Sequence, residues 1–211
     1  SIKINSENVR TEKMEPSREL VYTGYTFENE DENYYSVLAN IPILNINTDA
    51  AKKINADIKT EFYDKANLIM RRTEGHTIYS INYASFVNED VLSIVIKSSL
   101  KEQNKAEKVT VRTYTYSISE QREVLLQDLI KLKGVEESDI QKTIRDDIQT
   151  AYTNAKLIAD EYGSLYERDV NGDLYKIENS NTYFLTQDGY VYVVYAYGNN
   201  DYTNEMDIVI F

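Results

Sequence analysis

The C-terminal stretch Asn181–Phe211, NTYFLTQDGYVYVVYAYGNNDYTNEMDIVIF, decides the fold. Two runs rich in β-forming residues, Thr182–Gln187 and Tyr190–Tyr197, flank the dipeptide Asp188-Gly189. Asp-Gly favours a two-residue type I′ turn, in which both central residues have positive φ. A third run, Met206–Phe211, alternates apolar and polar residues and ends the stretch. We therefore predict a ribbon of antiparallel strands, and we expect the rest of the chain to pack around the sheet to which it belongs.

The segment before this ribbon predicts a long amphipathic helix over Ser138–Tyr162. Ser138-Asp139-Ile140-Gln141 fits a capping box at its start, and Gly163 fits the left-handed position after its end. Between this helix and the ribbon, Asp169–Asp173 is typical of a turn, which we expect to lead into a strand at Leu174–Ile177. The apolar stripe that predicts the helix consists of Ile140, Ile144, Ile148, Tyr152, Ala155, Ala159 and Tyr162.

The first half of the chain predicts a second helix between strands. Thr48 to about Met70 forms this helix, with Thr48 as its N-cap. Its apolar residues recur at spacings of three and four: Ala50, Ile54, Ile58, Phe62, Ala66 and Ile69. Before this helix we predict two strands, Leu20–Phe27 and Tyr34–Leu44, joined by an acidic loop at Glu28–Glu32. Pro42 confines the second of these strands to an edge or an end of a sheet. After the helix we predict a three-stranded meander over Ile78–Val87, Val91–Ser99 and Lys108–Ile118.

These elements predict an α+β fold, with antiparallel sheets (the meander and the C-terminal ribbon) packed against two long amphipathic helices. Residues 1–17 are polar and without a clean period, which predicts an N-terminal segment or tether. Residues 18–211 are predicted to form a single α+β domain, with a weak subdivision near residue 120. Leu125–Ile130 leaves room for only one or two helical turns.

Composition narrows the function. The 211 residues carry a formal net charge of −12 and a sequence pI of about 4.6, which makes nucleic acid a poor partner. A basic protein or a cation is the partner type that such charge attracts, although solubility alone also explains it. There is no Cys, so disulfides, thiol chemistry and Cys-ligated zinc are excluded. No apolar run reaches the length of a membrane span or a signal peptide, so we expect either a cytosolic protein or one whose leader or anchor lies outside this sequence.

The residues that could carry chemistry are few. His76 is the only histidine, which excludes HExxH and any zinc site with two His ligands. No GxSxG turn and no phosphate-binding Gly-rich loop is present. Asp169–Asp173 is one acid short of a calcium loop and is better explained as a turn. A glycosidase-like carboxylate pair stays open, because acids are abundant throughout. We predict no catalytic residue, metal or cofactor.

Two segments have the composition of binding loops. The first is Tyr195–Tyr202, YAYGNNDY, because Tyr, Asn and Gly are favoured in adaptable protein-binding loops. An ordinary Asn-rich turn beside a packed row of tyrosines explains it equally well, and we predict Tyr192 and its neighbouring valines to be core. The second segment is the turn around Ser117–Arg122. The candidate partner-binding residues are Tyr197, Asn199, Asn200, Asp201, Tyr202, Ser117 and Ser119.

Three stretches together resemble a known family: NEDVLSIVIKSS (88–99), VRTYTYSISEQREVLLQDLI (111–130) and NTYFLTQDGYVYVVYAY (181–197). They are similar to the extracellular domain shared by RsiV-type anti-sigma factors and PdaC-type peptidoglycan deacetylases. Leu126-Gln127-Asp128-Leu129 and Tyr183–Gly189 match its Leu-x-Asp-Leu segment and its late Phe-x-Leu-Thr-x-Asp-Gly hairpin. The helix around Ile54-Asn55 fits the family's early helix, and the resemblance covers about Tyr34 to Phe211.

The resemblance implies a non-catalytic module on the extracellular face of a Gram-positive membrane, anchored or secreted. In the anti-sigma branch such a domain binds lysozyme, which licenses proteolysis of the anti-sigma factor and release of its sigma factor. The sequence departs from the family at Ser119-Glu120-Gln121, where the family often has Gly, and at Gly198–Asp201, where its loop is typically rich in Pro and Ala.

The leading functional interpretation is therefore a sensor domain of an envelope-stress anti-sigma factor that binds a basic protein such as C-type lysozyme. The alternative is a non-catalytic, glycan-binding or accessory domain of a cell-wall enzyme or lipoprotein. A hydrolase with a carboxylate pair is the third interpretation.

Overall fold

A six-stranded sheet forms the larger part of the computed structural model, which describes residues 13–162, 165–197 and 205–211. Its strands lie side by side in chain order, and all neighbours are antiparallel except β2 and β3, which are parallel. The three strands of the predicted meander pair antiparallel as expected, whereas the parallel pairing of β2 with β3 was not predicted. The strands are β1 (Val21–Asp31), β2 (Tyr35–Leu44), β3 (Thr77–Asn88), β4 (Val91–Glu102), β5 (Lys108–Ser117) and β6 (Arg122–Glu123).

The parallel pair explains where the first helix lies, because parallel neighbours require a crossover connection. This crossover runs through α1 (Asp49–Ile58), a π-helical segment (Lys59–Asp64) and α2 (Lys65–Ile69). The predicted helix from Thr48 is confirmed, and the Thr48 side chain accepts a hydrogen bond from the Ala51 N–H as its N-cap. The π-helical segment was not predicted.

The strands at the start of the chain differ from prediction in one respect. Glu28–Asp31 do not form a loop but belong to β1, and the turn lies after them. Pro42 lies in the part of β2 that pairs with β1 only, opposite a β-bulge between Thr23 and Tyr25. A proline is tolerated there because no ladder bond is lost on the other side.

The C-terminal ribbon forms a second, three-stranded antiparallel sheet of β7 (Tyr183–Leu185), β8 (Val191–Ala196) and β9 (Met206–Ile210). The predicted type I′ turn is wrong. Of the turn residues only Gly189 has positive φ, at 87°, and its N–H donates to the Thr186 carbonyl. The loop therefore has three residues, with a β-turn followed by a left-handed glycine.

Two helices pack on the second sheet: α3 (Leu126–Leu132) and α4 (Glu137–Tyr162). The predicted capping box is wrong, because α4 begins at Glu137 and Ser138 lies inside its first turn. Ile140, Ile144 and Ile148 are buried as predicted, whereas Tyr152, Ala155 and Ala159 are only half-buried. Gly163 lies outside the described residues.

The segment between α4 and β7 also differs from prediction. The turn at Asp169–Asp173 is confirmed, since the Gly172 N–H donates to the Asp169 carbonyl. The strand expected at Leu174–Ile177 is replaced by two 3-10 turns, Asp173–Tyr175 and Ile177–Asn179. Among the described residues, no helix is long and apolar enough to cross a membrane.

The chain has two hydrophobic clusters that meet on the meander. One lies between the crossover helix and one face of the large sheet, and the other between the small sheet, α3 and α4. Hydrogen bonds join the sheets: the Leu185 N–H donates to Ser93 Oγ, and the Tyr183 N–H donates to Thr113 Oγ1. The α+β class is thus confirmed, while the subdivision near residue 120 stays a prediction.

Candidate binding site around the β8–β9 connection

The candidate residues are not all described by the structure. Tyr197, Ser117 and Ser119 are, whereas Asn199, Asn200, Asp201 and Tyr202 lie outside the described residues. Their role in binding therefore stays a prediction. The described residues on either side define how the connection between β8 and β9 begins and ends.

Tyr197, directly after β8, has a buried side chain that is 3% exposed. Its ring stacks on that of Tyr166, with 4.1 Å between ring centroids. Its hydroxyl donates to Asp207 Oδ2 at 2.8 Å and shares a 2.8 Å hydrogen bond with the Tyr175 hydroxyl. Burial, together with the Tyr175 hydrogen bond, raises the pKa of Tyr197. Tyr197 was proposed as a partner contact, but its ring is occupied within the chain and fixes the start of the connection.

Arg168 is a buried cation at the centre of this network, 6% exposed. Its Nε donates to Asp207 Oδ2 at 2.7 Å, and its Nη2 donates to Glu205 Oε2 at 2.7 Å. The Tyr166 carbonyl accepts from Nη1, and the guanidinium lies 4.9 Å from the centroid of the Tyr197 ring. Burial lowers the pKa of Arg168, but the hydrogen bonds with Asp207 and Glu205 outweigh it and raise the pKa overall. The two carboxylate partners offset the cost of burying this cation away from water.

The two ends of the connection are joined directly. The Tyr197 N–H donates to the Glu205 carbonyl at 2.8 Å, and the Tyr166 N–H donates to Glu205 Oε1 at 3.1 Å. Glu205 thus ties the end of the connection both to Tyr197 and to the segment before the 3-10 turns. Backbone and side-chain bonds together fix Tyr197 and Glu205, the described residues on either side of residues 198–204.

Sequence reasoning missed Arg168 and Asp207. Alternation in β9 would not have revealed Asp207, because it sets Met206, Ile208 and Ile210 on one face, and only the structure shows that the face of Asp207 and Val209 is the buried one. A carboxylate on a buried face needs a donor or a cation. Tyr197 could have been assigned from alternation, because it falls in step with the buried residues Val191, Val193 and Tyr195.

Ser117 and Ser119 belong to a different hydrogen-bonded cluster, which is centred on Asp90. Asp90 Oδ2 accepts from Ser117 Oγ at 2.6 Å and from Ser119 Oγ at 2.8 Å, while Oδ1 accepts from the Ser119 N–H at 2.7 Å. This carboxylate fixes the turn after β5 against the β3–β4 turn. Ser117 is buried and Ser119 is exposed.

Of the described candidate residues, the structure does not bring Ser117 and Ser119 together with Tyr197. The Asn88 amide, next to the Asp90 cluster, donates to the carbonyls of Thr186 and Gln187 at the β7–β8 hairpin. Tyr197 lies at the opposite end of β8 from that hairpin. Ser117 and Tyr197 are therefore separated by the length of β8, and a single small ligand could not contact both.

A polar cleft of about 550 Å³ opens beside the Tyr197 end of the small sheet. The π-helical segment and α2 supply one wall, residues of β3, β4 and the edge of β5 the floor, and the 179–182 segment with the end of β8 the other wall. Arg112 Nη2 lies 3.4 Å from Glu61 Oε2, and the Lys65 ammonium lies 5.5 Å from the centroid of the Tyr79 ring. Burial raises the pKa of Tyr79 and of Tyr195, which also line the cleft, to about 12.

The described part of the chain contains no group of three or more His, Cys, Asp or Glu side chains that could hold a metal ion. The Asp169 carboxylate accepts the Asn171 N–H, so in this turn it acts as a turn-forming acceptor.

The comparisons with known proteins bear on the fold. The sequence matches no protein-family model and no curated protein. The structure resembles a DUF3298 family protein from Pseudomonas aeruginosa PAO1, with a TM-score of 0.51 and 10% identity over 90% of this chain and 87% of that one. A DUF3298 family member from Bacteroides fragilis NCTC 9343 gives a TM-score of 0.46 at 11% identity, with the same coverage of both chains. The likeness to the Pseudomonas protein establishes a shared fold.

Proposed function

We propose that this chain is the extracellular ligand-binding domain of an envelope-stress anti-sigma factor and that its ligand is a basic protein such as C-type lysozyme. Its role is to bind and not to catalyse. Ligand binding would license regulated proteolysis of the anti-sigma factor and release of its sigma factor, as in the family that the sequence resembles. The fold shared with a DUF3298 family protein is compatible with this class.

The observation that carries the proposal is the acidic surface next to the base of the β8–β9 connection. The whole chain has a net charge of −12. Four exposed carboxylates, Glu167, Asp169, Asp173 and Glu178, occur in the segment that contains Arg168 and the 3-10 turns. Opposite charge on a partner raises the association rate and suppresses wrong partners more than it raises affinity.

The clamped base supports a binding role for residues 198–204. A ligand that contacts this connection does not have to order its ends, because Tyr197 and Glu205 are already hydrogen-bonded to each other and to their neighbours. Ordering costs at an interface are part of what limits affinity. We therefore propose Asn199, Asn200, Asp201 and Tyr202 as partner contacts, with Tyr197 as their support.

Calorimetric titration with a C-type lysozyme, at low and at physiological salt, tests this function. We expect tight binding that persists at physiological salt, together with loss of lysozyme activity if the domain covers the active-site cleft. Cytochrome c, another basic protein, is the control. Equal binding of both proteins, seen only at low salt, would reduce the effect to screened charge attraction and would refute the proposal.

A pair of variants tests the site. Asn200→Ala with Tyr202→Ala should weaken lysozyme binding by about 2 kcal/mol or more if Tyr202 is a buried anchor. Asn29→Ala, whose side chain is exposed on the edge strand β1, is the control and should bind as the unmodified chain does. Binding to insoluble peptidoglycan without any binding to lysozyme would favour the accessory-domain interpretation instead.

A further inference from the structure

The two edges of the six-stranded sheet are protected differently. Strand β1 forms one edge, and it carries Glu28, Glu30 and Asp31 and a bulge after Thr23. Charges and bulges are the devices by which proteins prevent another strand from pairing with an edge. Strand β5 forms most of the other edge, because β6 pairs with it only at Tyr116 and Ser117. Its open part includes the β-branched run Val109-Thr110-Val111.

The direction of the free backbone groups on β5 follows from one hydrogen bond. The Thr115 carbonyl accepts from the Val124 N–H, so the backbone groups of Thr115 point away from β4. In an antiparallel ladder this direction alternates along a strand, and the β4–β5 register runs without a shift. The N–H and C=O of Val111 therefore point outward, into the cleft that Val111 lines. Within the described residues no hydrogen bond to these two groups is formed.

The cleft around Val111 offers side chains to a ligand as well. Asn181 and Thr182 line one wall, and among the described parts of the chain neither side chain has a hydrogen-bond partner. Lys65 and Glu61 line the other wall, and Arg112 lies on the floor beside them. The cleft therefore holds two cations and one carboxylate at this place, in a chain of net charge −12. At one end the cleft is closed where the Tyr183 N–H donates to Thr113 Oγ1.

We propose that an extended peptide binds in this cleft by adding a strand to the open edge of β5, with a carboxylate of the peptide near Lys65 and Arg112. Strand addition draws affinity from main-chain hydrogen bonds and specificity from side-chain pockets. Strand residues rise by ~3.3 Å, so the five-residue stretch from Val109 to Thr113 accommodates a peptide of about five residues. This site is separate from the proposed contacts on residues 198–204 and goes beyond the lysozyme-binding function.

Nuclear magnetic resonance with the ¹⁵N-labelled chain tests the proposal. The probe is a pool of acetylated linear pentapeptides with Val or Thr at the second and fourth positions and a free C-terminal carboxylate. We expect a saturable shift of the Val111 amide signal and slower exchange of its hydrogen. The same pool with a C-terminal amide should bind more weakly, and pools N-methylated at alternate residues should lose binding in only one of the two registers.

Matched variants separate the backbone contribution from the side chain. Val111→Pro removes the outward N–H but no bond to β4, because Pro is tolerated at edge positions whose N–H faces away from the sheet. It should weaken peptide binding by about tenfold, the effect of one lost hydrogen bond. Val111→Ala keeps the N–H and should bind nearly normally. Circular dichroism confirms that both variants fold.

Several results would overturn the proposal. These are an unchanged Val111 amide at millimolar peptide, equal binding to Val111→Pro and to the unmodified chain, and shifts produced only by a tetramer of N-acetylglucosamine. The last result would assign the cleft to a glycan. Lysozyme titration of Val111→Pro distinguishes the two sites, because that variant should retain lysozyme binding even if peptide binding is lost.

Discussion

At the scale of single residues, Arg168 is a buried cation held by several partners. Its guanidinium donates to Asp207, Glu205 and the Tyr166 carbonyl and lies near the Tyr197 ring. Arginine suits this place because its planar fork serves several acceptors at once. The pairing does not make the ion pairs a large source of stability, since removing charges from water has its own cost. What the network does achieve is a fixed relation between the two ends of the β8–β9 connection.

Replacing Arg168 by Met tests this role. The variant leaves Asp207, which is 9% exposed, without its cation and close to Glu205. Breaking a buried pair by removing one partner costs about 3–5 kcal/mol, and urea unfolding at neutral pH should show a loss of that size. Arg18→Met is the control, because its ion pair with Glu15 is exposed and should contribute no more than about 1 kcal/mol. Equal losses for the two variants would contradict the assignment.

Of the site residues, the sequence could identify the direction of Tyr197 but not the role of Arg168. The composition of Tyr195–Tyr202 suggested a binding loop, and composition does not report side-chain direction. The alternation of Val191, Val193, Tyr195 and Tyr197 does report it, and it places Tyr197 inward. Arg168 could not be identified, since its partners are Glu205 and Asp207 and contacts that far apart in the chain have no local pattern.

At the scale of elements, the π-helical segment has a cause in the sequence. Ile54, Ile58, Phe62 and Ala66 are all buried and follow one another at spacings of four. An α-helix turns by ~100° per residue, so each step of four residues overshoots the previous direction by about 40°. Wider turns at Lys59–Asp64 return Phe62 and Ala66 to the core-facing side. The sequence therefore predicted the helix and its buried face, and an exact count of the spacings could have predicted its irregular middle.

The β3–β4 turn offers a second test at this scale. Asn88 pairs with Val91 across a two-residue connection, and Glu89 within it has φ of 49°. A side chain in this left-handed region is strained, by about 1–2 kcal/mol. Glu89→Gly should remove that strain at some cost in unfolded-state entropy, with a net gain of about 0.5–1 kcal/mol. The thermal midpoint should rise by about 1–4 °C for a chain of this size.

Asn104→Gly is the matched control for this prediction. Asn104 also lies in a turn between strands of the meander, but it is not among the residues with positive φ. Glycine there relieves no strain and adds freedom to the unfolded chain, so the midpoint should stay unchanged or fall. A fall of similar size in both variants would mean that the Glu89 backbone carries no relievable strain.

At the scale of the whole molecule, the tyrosines link stability to alkaline pH. Burial raises the pKa of Tyr79, Tyr175, Tyr183 and Tyr195 to about 12, from 10.0 in the unfolded chain. Between these values the unfolded chain has released protons that the folded chain still holds, so rising pH favours unfolding. Stability should be fully present below pH 10 and should fall as pH rises toward 12, by up to about 1.4 kcal/mol per pH unit for each group.

Urea unfolding across this range, with tyrosinate absorbance followed in parallel, measures the effect. Tyr195→Phe removes one of the four groups and should make the decline shallower, although it also removes the hydrogen bond to Ser180. A free energy of unfolding that is unchanged up to pH 12 would contradict the burial that raises these pKa values.

The overall architecture was predictable in class but not in arrangement. Periodicity indicated two helices, a meander and a C-terminal ribbon, and all of these are present. The parallel pairing of β2 with β3 was not predicted, because it depends on how the apolar side of the crossover helix packs on the large sheet. The placement of β7 on β4 and β5 rests on contacts such as Leu185 with Ser93, between residues remote in the chain. Local patterns carry no information on such pairs.

The clamp at the base of the β8–β9 connection has a practical consequence for protein engineering. The register of β8 and β9 is fixed by their pairing from Tyr192 with Ile210 to Ala196 with Met206, and Tyr197 and Glu205 close it with one more hydrogen bond. None of these contacts uses the side chains of residues 198–204. We therefore expect a foreign sequence grafted between Tyr197 and Glu205 to leave this register intact, which would make the domain a display scaffold on which new recognition specificities can be selected.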